Sequence, residues 1–289
     1  MKYHFPHTVE SAVDILTQYG EKARLIAGGT DLILDYQSGK IKPDAFVDIS
    51  KIEGFDSIHM RDDYLVIGGG ATHSQIATSE LVTKYAPALA LGCSCVGSRQ
   101  IRNIATLSGN IVNAQPAADG AVPLAVLDAD LVIYGSYGQR TIKLQDAYAG
   151  FGKSTIDSSK EIISEILIPT KPRRFSAFNR LELRKALALP MLNCAASAVF
   201  DGDVISEMRI VSAPVGIGPV RATEAEDYCT GKTLTDEVIS KASQLVLSSA
   251  NPRSNPLRGS REYRLEVLPV LIADCLQTLK LSFNKQKGV

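Results

Sequence analysis

The sequence predicts an α+β protein in two parts, and three observations carry that prediction. Short β-rich runs closed by glycine alternate with apolar residues at helical spacing through roughly the first 170 positions. The stretch Pro169-Thr170-Lys171-Pro172-Arg173-Arg174 then breaks all periodicity with two prolines and three bases, so a boundary is placed there, between 1–170 and 175–285. Beyond it, two strand-like runs flank Asp201-Gly202-Asp203 and are followed by helical patterns.

The elements follow in order. Residues 8–19 form a helix: Thr8 can cap it, Val9, Ala12, Val13 and Leu16 share a face, and Gly20 ends it. Strands are expected at 24–27, 45–49 and 64–67, the last running into Gly68-Gly69-Gly70, and helices at 31–37, 73–77 and 81–93. A hairpin-like turn at 135–138 joins strands at 130–134 and 141–144, and a further strand spans 162–168 up to Pro169. In the second part, 195–200 and 204–211 pair as an antiparallel hairpin, and 234–249 and 262–281 are helical. In the last helix, Leu265, Leu268, Ile272, Cys275, Leu276 and Leu279 make a core-facing stripe.

Composition narrows the function classes. A chain of 289 residues that is 45% hydrophobic can bury a full core. Lys+Arg and Asp+Glu are both 31, so no global field gathers nucleic acid or an anionic membrane. No apolar run is long enough to cross a bilayer, and the first residues lack the cationic-then-apolar pattern of a secretory signal. The five cysteines (Cys93, Cys95, Cys194, Cys229 and Cys275) are odd in number and scattered, which suits reduced thiols in the cytoplasm. Cys93-Ser94-Cys95 is too short to hold a metal or iron–sulfur cluster alone. The four histidines show no zinc-hydrolase spacing.

Two glycine-rich segments can carry chemistry. In Arg24-Leu25-Ile26-Ala27-Gly28-Gly29-Thr30-Asp31, a glycine pair after a strand lets bare amides approach an anion without an intervening Cβ. Within it, Ala27-Gly28-Gly29-Thr30-Asp31 equally suits an ordinary tight turn before a helix. It is neither a G-x-G-x-x-G fingerprint nor a Walker A loop, so any diphosphate here is held by backbone donors. The second segment, Thr106-Leu107-Ser108-Gly109-Asn110 followed by Asn113, Pro116 and Asp119, mixes small and short polar residues with one acid. Thr106 and Asn110 offer donors to phosphate or ribityl oxygens, and Asp119 can accept from a nucleotide hydroxyl or amine. Together the two point to a flavin protein.

With these two segments, Phe5-Pro6-x-Thr8-Val9-x-x-Ala12, Val47-Asp48-Ile49, Ile67-Gly68-x-Gly70-Ala71-Thr72 and Leu257-Arg258-Gly259-Ser260-x-Glu262-Tyr263-Arg264 complete a pattern over most of the chain. It resembles the FAD-binding subunit of the xanthine dehydrogenase / carbon monoxide dehydrogenase family of molybdenum hydroxylases. The resemblance implies a vanillyl-alcohol-oxidase (PCMH) type FAD-binding domain of two α/β subdomains, plus a small C-terminal α+β domain. It implies that residues 24–31 wrap the pyrophosphate, and that Thr106 to Asn110 with Asp119 complete the diphosphate and ribityl contacts. It places Ile162, Phe178 and Leu189 near the flavin, although a plain core role suits each equally.

The family's activity is electron transfer: from [2Fe–2S] clusters of a small subunit, fed by a molybdopterin-binding large subunit, through FAD to NAD or another acceptor, in an assembly of two copies of three chains. No catalytic acid or base is required of this chain. Two departures stand out. Ser108 occupies the first position of the usual glycine pair, which requires a negative φ or a relaxed loop, and Arg180 stands where relatives often have lysine. Arg184 and Lys185 keep the basic character of that region, which also suits a solvated surface. The cysteine-rich insertion by which some relatives hold an extra cluster is missing. The alternative readings are a stand-alone flavin-dependent oxidoreductase of the same fold class and a scaffold that has lost FAD.

Overall fold

A computed structural model of the chain describes residues 1–184 and 187–287. Lys185, part of the basic group noted above, lies outside the described residues. The chain starts with strand Lys2–His4 and helix Val9–Tyr19. Thr8 and Ser11 form a reciprocal capping box, and Gly20, at φ 56°, turns the chain out of the helix. The apolar face Ala12, Val13 and Leu16 is buried, in a cluster with Ala23 and Val47. Lys2–His4, Ala45–Asp48 and Ala23–Ile26 lie side by side as a parallel three-stranded sheet.

A second, antiparallel sheet has the order Ile58–Arg61, Tyr64–Gly68, Glu161–Pro169, Asp130–Gly135, Gly138–Lys143. Short helices fill the excursion between Tyr64–Gly68 and Asp130–Gly135 and supply much of the largest core. The helix expected over 81–93 is two helices, Glu80–Tyr85 and Pro87–Ser94. Pro87 disfavours helical geometry at Ala86, which sits at φ −142°, ψ 53°, and then serves as a first-turn residue of the next helix. Pro269, by contrast, is accommodated inside the 27-residue helix Arg261–Lys287.

The last sheet is antiparallel, in the order Arg174–Leu181, Leu192–Asp201, Val204–Ala213, Val220–Arg221. Its first strand was hidden in the sequence behind the proline-rich stretch. Helices Thr223–Cys229, Asp236–Leu245 and Arg261–Lys287 contribute to the core on one face of this sheet. Because strand side chains alternate, the sheet has two dry faces. Ala177, Cys194, Ala196 and Ile210 belong to the helical core of the C-terminal part, whereas Phe178, Ala195 and Val211 belong to the core of the N-terminal part.

Along the first strand, every second residue reaches back across the boundary. Arg174 donates to Leu127 O and Asp128, Ser176 accepts from Ala88 N, Phe178 enters the core, and Arg180 meets Asp119. All five cysteines are free thiols, four of them buried.

This packing separates two apolar residues that the sequence grouped together. Phe178 is 4% exposed and Leu189 is 62% exposed. Phe178→Ala is expected to cost about 3–5 kcal/mol in urea denaturation, whereas Leu189→Ala is expected to stay within about 0.5 kcal/mol.

Candidate functional site

The first glycine-rich segment leaves strand Ala23–Ile26 and turns into helix Leu32–Gln37. Its two glycines are needed for different reasons. A Cβ on Gly28 would lie 2.0 Å from Ile104 O, so at this position the backbones of the two glycine-rich regions touch. Gly29 adopts φ +67°, and its carbonyl receives Ile33 N at 2.9 Å to start the helix. Among the described residues, the amides of Gly28, Gly29 and Thr30 donate no hydrogen bond.

The centre of the second segment is a short helix, Leu107–Val112, with Thr106 as N-cap accepting from Gly109 N at 3.1 Å. Ser108, being helical, meets the condition of negative φ, and its buried hydroxyl donates to Gly69 O. Flanking bonds from His73 N to Ala105 O and from Leu107 N to Ala71 O, 3.0 and 3.1 Å long, tie the segment to the turn after the second sheet's strand Tyr64–Gly68.

Between the two segments opens a cavity of about 1040 Å³. Leu25, Ala27, Gly28, Gly29, Thr30, Asp31, Thr106, Ser108, Gly109, Asn110, Asp119, Ile162 and Leu189 line it. Four residues named from the sequence lie elsewhere. Arg24 folds its guanidinium onto Glu21 O and Ala23 O, both at 2.6 Å, while Ile26, Leu107 and Phe178 are buried in the core. The lining suits a ligand that carries both phosphates and an apolar ring. Unpaired amides sit at one segment, Asn110 Oδ1 is buried without a partner, and Leu25, Ile162 and Leu189 add apolar surface. A Cβ on Gly109 would meet only Thr106 Oγ1, at 3.0 Å.

Asp119 is already engaged by protein. Its Oδ2 accepts from Arg180 Nη1 at 2.7 Å and its Oδ1 from Asn193 Nδ2 at 2.8 Å. Burial pushes its pKa up to about 6, against the pull of Arg180 and Asn193 and with a small push from Glu182, so it is ionised at neutral pH. Arg180 is therefore no part of a solvated basic surface. Its side chain is 8% exposed and also donates to Cys95 O at 3.1 Å and Ala188 O at 2.5 Å, which fixes the segment that carries Leu189.

His73, which no motif singles out, is a cavity residue that is 1% exposed with both ring nitrogens unpartnered. Desolvation, helped by nearby Arg102, lowers its pKa to about 4, so the imidazole is neutral. Only its place after Ala71-Thr72 hinted at the site.

Arg180→Met is expected to cost about 3 kcal/mol in urea denaturation by removing the partner of the buried Asp119 carboxyl, and adding Asp119→Asn should recover part of that loss. For His73, the unfolded chain binds more protons than the folded one between the ordinary value of 6.5 and about 4. Its contribution is present above pH 6.5 and is lost as pH falls through that window. Thermal midpoints of wild type and His73→Gln should therefore converge as the pH is lowered.

Residues 1–171 match the family described as FAD binding domain in molybdopterin dehydrogenase, and residues 176–279 match that described as CO dehydrogenase flavoprotein C-terminal domain. The xanthine dehydrogenase FAD-binding subunit of Escherichia coli O157:H7 is 29% identical over 272 residues, covering 93% of this chain and 92% of that protein. The nicotinate dehydrogenase FAD-subunit of Eubacterium barkeri is 32% identical over 243 residues, covering 82% of each. In a solved carbon monoxide dehydrogenase from Hydrogenophaga pseudoflava, which lacks the Mo-pyranopterin moiety of its molybdenum cofactor, one chain superposes with a TM-score of 0.91 at 25% identity, covering 97% of both chains. Sequence match and fold thus agree: the chain belongs to the FAD-binding medium subunits of the molybdopterin-dependent dehydrogenases.

Proposed function

We propose that this chain is the electron-transfer subunit of a cytoplasmic molybdenum hydroxylase, seated between a [2Fe–2S] subunit served by a molybdopterin subunit and a diffusible acceptor such as NAD. The observation that carries the reading is the pairing of unbonded amides at Gly28, Gly29 and Thr30 with the buried, unpartnered Asn110 Oδ1 across one cavity. The amides suit the pyrophosphate and Asn110 the ribityl hydroxyls, while Leu25, Ile162 and Leu189 offer apolar surface to the ring system. FAD supplies the redox chemistry, and the protein's tasks are to bind it, exclude water from it and orient it.

Among the described residues, no group of three or more His, Cys, Asp and Glu side chains converges as a metal site, and no helix is long and apolar enough to cross a membrane. His73 is neutral and buried, so it is suited to lining the site and not to exchanging protons at pH 7. The domains proposed are 1–170 for cofactor binding and 175–285 for the C-terminal module, joined through the shared sheet.

The test is to isolate the chain from its source cells under mild conditions and to measure molybdenum, iron and FAD in the assembly that accompanies it. Stoichiometric molybdenum and iron, with flavin bleached by NADH without oxygen, is the expected result. A chain that is isolated alone and turns over a small substrate unaided is a stand-alone oxidoreductase, which overturns the proposal. Gly109→Ala, which places a methyl group at the cavity wall, should weaken FAD binding at least about tenfold, or 1.4 kcal/mol, while the melting temperature of the FAD-free chain changes little.

A further inference from the structure

The cavity has a second wall, supplied by the C-terminal part, where Arg253, Arg258 and Arg264 converge beside Asn251 and Ser254. Arg264 is the most informative of them. It lies in the first turn of helix Arg261–Lys287 and is only 4% exposed. Its Nε and Nη2 both donate to the Arg258 carbonyl, at 3.1 and 3.0 Å. Among the described residues, no carboxylate pairs with Arg253, Arg258 or Arg264.

Other buried arginines of this protein are treated differently: Arg174 has Asp128 and Arg180 has Asp119. Burial lowers the pKa of Arg264, and the neighbouring charges of Arg258 and Arg253 lower it further. Arg253 in turn lies with its guanidinium carbon 3.4 Å from the Phe151 ring centroid, which holds the charge at the cavity rim. Arg264 is a buried cation without a counter-ion, which is costly, and with half-buried Arg258 and exposed Arg253 on the same cavity wall it favours an anion delivered from outside the chain.

We infer that Arg253, Arg258 and Arg264 form an anion subsite that receives the phosphates of a nucleotide electron acceptor, a nucleoside diphosphate in chemical class. The inference rests on the redox reading above and gives that reading's acceptor a place. Two sets of anion-binding groups share the cavity: backbone amides at Gly28 to Thr30 and guanidiniums at 253 to 264. One diphosphate engages one set, so a cofactor held at the amides leaves the guanidiniums for a second ligand. Guanidiniums bind phosphate bidentately and are exchangeable with water at an open rim, which suits a ligand that must come and go.

The test uses the FAD-loaded complex as isolated, with ADP-ribose and, separately, inorganic pyrophosphate as probes, read by titration calorimetry. Both probes should bind, and Arg258→Gln and Arg253→Gln should each weaken ADP-ribose at least about tenfold. The FAD-to-protein ratio and the melting temperature should remain those of the wild type. No binding of either probe, or binding indifferent to both substitutions, overturns the inference. FAD loss on either substitution also overturns it, because the guanidiniums then hold the cofactor's own diphosphate. Wild-type protein that takes up no FAD at all counts instead against the redox reading, so the two failures are told apart.

Discussion

The cavity exists because two backbones touch at Gly28. Any side chain there would overlap the Ile104 carbonyl, so the first glycine-rich segment could not lie against the second, and the amides of Gly28, Gly29 and Thr30 would no longer share a wall with Asn110. The constraint is steric and local, yet it sets the relation between a parallel sheet and a helical segment about 80 residues further along the chain. On the far side, the second segment is pinned by Leu107 N to Ala71 O and His73 N to Ala105 O. The site is thus a sandwich of three backbone stretches.

The charged network under the cavity has a different logic. Asp119 lies between Arg180 and Asn193, both on the last sheet, and Arg180 continues to the carbonyls of Cys95 and Ala188. Such an arrangement contributes little net stability when complete and is expensive when broken. Its value is positional: it holds the cavity floor, the sheet and the Leu189 segment in one geometry. The contrast with the uncompensated arginines at the opposite wall makes the charge distribution legible. Where the fold needs a cation it supplies an anion, and where the cavity presents cations it does not.

Much of this was readable in advance, for physical reasons that can be named. Helix Val9–Tyr19 carries its own cap and stop signal, and Ala23–Ile26 is a short strand closed by glycine. The hairpin of Leu192–Asp201 and Val204–Ala213 announces itself through Asp201-Gly202-Asp203. What escaped was set by tertiary contact. Strand Arg174–Leu181 alternates between two cores, so its polar residues have buried partners that no local pattern reveals, and a surface role for Arg180 stayed open in the sequence. Arg24, Ile26, Leu107 and Phe178 sit beside lining residues in the chain but point elsewhere, because a turn or a helix exposes only some of its positions to one side. His73 is visible only when folding brings it against the Asn110 segment. Pro87 divides the helical pattern of residues 81–93 in two, a break that apolar spacing alone does not register.

The last sheet is dry on both faces, with Phe178 and Ala195 turned to one core and Ala177 and Cys194 to the other. A wall shared in this way cannot be inherited in halves. Exchange of the C-terminal region between relatives would import one face fitted to its own helices and another fitted to a foreign neighbour. Recombination at the proline-rich junction would therefore be tolerated only where alternate positions of the first strand had changed in step with the opposing half. The lineage is thus expected to diverge as a single unit, even though its sequence reads as two modules joined end to end.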